Sequence, residues 1–187
     1  MTILAICARK LCLSLGRFHG DQRGVSAVEF ALLLPLMVTL YLGTAEVSQA
    51  ISAGRKATMV ARTVADLVSQ ATNVTNSDMT DIMNAAVAVI YPYTTSNLKV
   101  TVTSVNIDAN SKATVTWSDT YNGTARSVGS TVTPPAAVIV PNSTLIWSEV
   151  SYAYKPTVGY IITGTLNLKD QLYMAPRLST SVTRSAN

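Results

Sequence analysis

From Phe30 to Ala45 the chain reads FALLLPLMVTLYLGTA without a charged residue. Extended back to Val25, the stretch is interrupted only by Glu29. About 21 residues of helix rising 1.5 Å each span about 31 Å. The hydrocarbon core of a bilayer is about 30 Å thick. Pro35 would break a soluble helix interior, but a transmembrane helix tolerates it as a kink. The run predicts a transmembrane helix over 25–45, with a leader over 1–24 before it and a polar domain over 46–187 after it. A buried core helix would need to be apolar all round in a chain of only 187 residues. A cleaved secretory signal is the closer rival, with Gly43 and Ala45 as small residues at suitable spacing. The apolar run is longer than a usual signal core and continues into helical sequence.

Charge orients the span. The net charge is +4, and most of it precedes Val25, where Arg9, Lys10, Arg17 and Arg23 face only Asp21. Downstream, Glu46 comes first and Arg55–Lys56 follow only about ten residues later. The positive-inside bias therefore predicts a cytoplasmic N-terminus and an extracytoplasmic domain. After Val25, acids and bases nearly balance. A nucleic-acid binder would need a basic patch in its folded part, and only scattered basic residues are visible there, so no nucleic-acid partner is expected.

The exported part begins as a continuation of the same helix. Val47, Ile51, Ala57, Val60, Val64, Leu67, Val68 and Ala71 recur mostly at three- and four-residue spacings, an amphipathic face. Arg55, Lys56, Arg62 and Asp66 supply its polar counterpart. One helix over roughly Ser26–Ala71 is expected, ending across Asn73–Asn76. Ser77 or Asp78 caps a second helix, with Met79, Ile82, Met83, Ala86, Val87 and Ile90 inward and Pro92 as its stop. The Met positions read as core fillers.

After Pro92 the period becomes two. Leu98, Val100 and Val102 alternate with Lys99, Thr101 and Thr103. Val105 and Ile107 fall out of phase, which suggests a bulge near Ser104. A turn at 108–111 leads to Ala113, Val115 and Trp117 in a second strand. Residues 121–135 are rich in Gly, Ser, Thr and Pro and read as a surface loop. Three more strands are expected at Leu145–Tyr154, Val158–Leu168 and Leu178–Arg184. The fold class is α+β: a long N-terminal helix, a short second helix, then a mostly antiparallel sheet.

Little in this chain carries catalytic chemistry. Cys7, Cys12 and His19 all lie before residue 24, so the domain lacks the usual nucleophile–base pairs and zinc ligands. Neither the spacing of the two cysteines nor any other motif points to a metal or a cofactor. Asp78 and Asp81 sit at a helix start, where a solvated capping role fits better than catalysis. The aromatics Trp117, Trp147, Tyr152, Tyr154, Tyr160 and Tyr173 read as core and cross-strand packing. No enzyme is expected.

The junction is the specific feature. Residues 23–34 read RGVSAVEFALLL, with Gly24 before the apolar helix and Glu29-Phe30 at the fifth and sixth positions after it. This resembles a type IV prepilin processing site. More closely it resembles the TadE-like minor pseudopilins of the tight-adherence (Flp) pilus system, with their R-G-x-x-x-x-E-F pattern and Pro-containing apolar run. Segments 57–70, 148–162 and 173–184 also look like TadE/TadG-type proteins. The resemblance implies a minor pilin-like subunit of the bacterial inner membrane. It implies cleavage between Gly24 and Val25 by a prepilin peptidase, and Glu29 and Phe30 as the processing and assembly motif. Its implied partners are that peptidase, other pilin-like subunits and pilus assembly proteins, and the lipid bilayer. An adhesion-type domain like that of the larger relatives would not fit in this length. Two other functions stay open: a periplasmic or secreted binding domain released from a cleaved signal, and a membrane-anchored enzyme.

Overall fold

A computed structural model describes residues 24–156, 159 and 161–185. The leader residues 1–23, with both cysteines and the histidine, lie outside the described residues. The chain divides after Ala45 into two compact units. Helix α1 runs Val25–Ser69, and its two parts are taken separately.

In the first unit, α1 is exposed along nearly its whole length, including Leu32 and Tyr41. Pro35 removes one helical N–H donor. Both threonine hydroxyls of this stretch are satisfied within the helix: Thr39 donates to the Pro35 carbonyl and Thr44 to the Leu40 carbonyl, each at 2.8 Å. Self-satisfaction is what an apolar solvent demands of polar groups.

In the second unit, α1 buries Ala53, Ala57, Val60, Ala61, Val64, Ala65 and Val68. Val60, Val64 and Val68 are as the periodicity predicts. Val47, Ile51 and Leu67, expected on the same face, are exposed instead. The inward stripe is built of small residues, which hydropathy weighs lightly and close packing favours. The helix stops at Ser69, two residues early, and Asn73–Val74 forms strand β1 rather than a plain helix end.

Helix α2, Asn76–Ile90, starts two or three residues sooner than predicted. Its cap is Thr75, not Ser77 or Asp78. The Thr75 hydroxyl accepts from the Asp78 N–H at 3.2 Å, and the Asp78 carboxylate accepts from the Thr75 N–H at 2.9 Å. This is a reciprocal capping box. The Thr75 N–H foremost, and then the Thr75 hydroxyl at 2.8 Å, donate to the Asp78 carboxylate and hold it below its ordinary 3.8. A lowered acid pKa adds stability above the unfolded value, and that stability is lost as pH falls through the folded one. Thr75→Ala is expected to cost about 1 kcal/mol in denaturant unfolding at neutral pH. The destabilisation by Asp78→Ala should shrink as pH drops below 3.8; a cost that stays constant down to pH 2 would contradict the capping role.

The sheet contains β2 (Leu98–Ile107), β3 (Ala113–Tyr121), β4 (Thr131–Val132), β5 (Ser143–Tyr154) and β6 (Leu166–Met174). Their order is β4-β3-β2-β5-β6, antiparallel throughout. A second, two-stranded sheet pairs β1 in parallel with β7, Thr183–Arg184. The α+β class stands as expected.

The bulge lies between Ser104 and Val105, as the phase change predicts. Its extra residue, Thr116, is on the partner strand: Ser104 pairs with Trp117 and Val105 with Val115. Strand β2 keeps strict alternation. Its apolar side switches because the sheet carries a core on each face. Leu98, Val100 and Val102 join α1, α2, Ile146 and Val150. Val105 and Ile107 join Ala113, Leu145 and Trp147 on the opposite face. The bulge also separates Trp117 from Ala113, with which it was read as one alternating face. A one-residue slip reverses every later side chain, so Trp117 enters the helix-side core.

Two strand expectations are corrected. Of the expected strand Val158–Leu168, Val158 and Tyr160 lie outside the described residues, and among the described ones only 166–168 are strand, at the start of β6, Leu166–Met174. Gly159 and Gly164 adopt left-handed φ of 67° and 95° and break the earlier stretch. Within β6 the polar Asp170 occupies the side shared with Leu168 and Leu172, where the Thr58 hydroxyl of α1 donates to it, and this hides the alternation. Of Leu178–Arg184, only Thr183–Arg184 is strand.

Candidate functional site: the N-terminal junction

Gly24 is exposed and immediately precedes the first residue of α1, Val25. A Cβ added at Gly24 would meet no heavy atom of the described residues within 4 Å. Packing among the described residues therefore places no demand for glycine there. Glu29 and Phe30 lie in the second turn of α1, and both are exposed. Glu29 follows Val25 by four residues, which sets the two on one helix face. Gly43 and Ala45, the small pair of the signal-sequence reading, lie inside α1. An 18-residue window of this helix is long and apolar enough to cross a membrane, and none of it is buried.

The four junction residues thus sit on one exposed helix start, followed by an exposed apolar surface. That arrangement suits recognition by another molecule. It offers no paired acid and base and no nucleophile. Among the described residues, no three or more His, Cys, Asp or Glu side chains gather as metal ligands.

Residues 24–66 match the model of the TadE-like protein family. The similarity is confined to this N-terminal segment. The match opens on Gly24 and runs through the apolar half of α1 into the half that packs in the domain. It ends before segments 148–162 and 173–184, where the sequence resemblance was also noted. No curated protein and no solved structure matches the chain.

Sequence reasoning passed over Glu46, taken only as a flanking charge. It is buried. Its carboxylate accepts from the backbone N–H groups of Ile161 and Ile162 at 3.0 and 2.9 Å, which fastens the stretch after β5 to α1. Burial first, and then the Tyr93 and Glu46 charges, raise the Tyr154 hydroxyl above its ordinary 10.0. An acid following a membrane segment reads as an interfacial charge, and only the fold supplies the two N–H groups.

Proposed function

We propose that this chain is a minor pilin-like structural and assembly subunit of a tight-adherence (Flp) type IVb pilus. The observation that carries the reading is the family match beginning at Gly24 and covering the exposed apolar helix start. In this reading residues 1–24 are a basic cytoplasmic leader and 25–45 cross the inner membrane. Residues 46–187 form an extracytoplasmic α+β domain. A prepilin peptidase cleaves between Gly24 and Val25, with Glu29 and Phe30 in its recognition motif. The chain is the peptidase's substrate. Pilin-like subunits, assembly proteins and lipid are its other partners.

Because no contact among the described residues requires glycine at residue 24, a demand for it lies in the peptidase cleft, where a side chain would obstruct backbone approach. Gly24→Leu is expected to leave the domain folded and to abolish processing. The test is intact-mass mapping of the protein extracted from spheroplasts with and without external protease. Wild type should begin at Val25 and lose its domain to protease. A mature start after Ala45, an intact leader in cells containing the peptidase, or a domain protected in intact spheroplasts would overturn the reading.

A further inference from the structure

The sheet face opposite α1 carries a trough of about 750 Å³ that the junction does not involve. It lies across β2, β5 and β6, and Gly123 and Thr124 of the loop after β3 wall one side. Register places Lys99, Ser151 and Lys169 in one row across the three strands, and Thr101, Glu149 and Gln171 in the next. Two strand spacings set the lysines about 10 Å apart, though 70 positions separate them in sequence.

The charges of the trough do not cancel. Glu149 is engaged by Arg126 through two hydrogen bonds of 2.7 and 3.0 Å. Asp170 turns its carboxylate to Thr58 on the helix side. No carboxylate of the described residues lies within ion-pair distance of Lys99 or Lys169. Hydroxyls of Thr101 and Ser151 and the amide of Gln171 offer both donors and acceptors between them.

We propose that this trough binds an extended acidic segment of a partner protein. The two ammonium groups match carboxylates on alternate residues of an extended chain, which lie about 7 Å apart along one face, within reach of lysine's flexible stem. A peptide's alternating N–H and C=O groups suit the mixed floor. An acidic glycan or a single nucleic-acid strand would want a bare aromatic face to stack on. The one nearby, Trp147, is covered: the Arg126 guanidinium lies 3.9 Å from its ring centroid, and Tyr173 stacks against it at 5.3 Å.

The test uses the full chain in detergent micelles and fluorescein-labelled hexaglutamate, with anisotropy as the readout. Hexaglutamine and an oligogalacturonate serve as comparison ligands. Hexaglutamate should bind, hexaglutamine should not, and affinity should fall as salt rises. The double variant Lys99→Ser/Lys169→Ser should weaken hexaglutamate by about tenfold, while Lys112→Ser/Lys155→Ser, outside the trough, should not. All four side chains are on the surface, and an unchanged thermal midpoint confirms that each variant is folded. Absence of hexaglutamate binding, equal loss in both double variants, or tighter binding of oligogalacturonate would overturn the proposal. None of these results depends on processing at Gly24 or on a role in a pilus.

Discussion

Cells carrying Glu29→Ala are expected to insert the protein, cleave its leader and hold it at ordinary levels, yet to make few or no pili. The cause would lie in a charge pair. The proposed cleavage after Gly24 would free an α-amino group on Val25, one helical turn from Glu29. In the proposed reading, and by resemblance to pilin-like assemblies, the carboxylate would pair with the amine of a neighbouring subunit. Such a pair neutralises both charges in an apolar packing and sets the axial register between helices. Removing one partner leaves the other unpaired, which costs about 3–5 kcal/mol. That is a factor of about a hundred or more in each subunit contact. Glu29→Asp keeps the charge on a shorter arm and should give intermediate piliation. An interfacial acid without a partner would predict something different, since its side chain can reach the headgroups and its removal would be neutral. Normal piliation by the Ala strain, with mature protein present, would refute the pairing.

Trp117→Ala should be the most damaging substitution in the domain. The ring is buried among residues of α1, α2 and the sheet. Its Nε1 donates to the Val182 carbonyl at 2.8 Å, across 65 residues of sequence. Beside it, Arg184 donates to Asp119 and Asn76, each at 2.7 Å. Together these bonds fasten the C-terminal β7 to the sheet and to α2. Losing the ring should cost about 3–5 kcal/mol, a large share of the 5–15 kcal/mol that usually separates folded from unfolded. Trp117→Phe keeps most of the apolar volume and loses the hydrogen bond. It leaves the Val182 carbonyl without this donor, for about 1–3 kcal/mol. Denaturant unfolding of the full chain in detergent reads both. Equal losses for Ala and Phe would mean that the hydrogen bond, not the packing, holds this corner.

Legibility followed the range of the interaction that decides each feature. The helix α2 is legible to within three residues because its stripe and its Pro92 stop are local, whereas its cap, expected at Ser77 or Asp78, is Thr75, paired with Asp78. Both residues belong to the capping box, and a sequence shows the pair without showing which one terminates the helix. The β2–β3 hairpin was readable from alternation and a turn at 108–111. Strand β6 was not, because Asp170 stands where an apolar residue was expected and is matched by Thr58, 112 residues away. The junction residues 24, 25, 29 and 30 were legible as a motif in a short segment. Glu46 and the trough were not.

The apolar length, the flanking charge and the TadE-like junction follow from sequence alone. Each is a local sum over neighbouring residues and needs no knowledge of what packs where. Tertiary structure alone decided which face of α1 turns inward, on which side of the sheet Trp117 lies, what Glu46 caps, and that Lys99 and Lys169 share a row. Those outcomes rest on one-residue registers and on partners 65 to 115 positions apart. The free energy that selects them comes from close packing and from satisfying buried polar groups, and both are properties of the assembled fold.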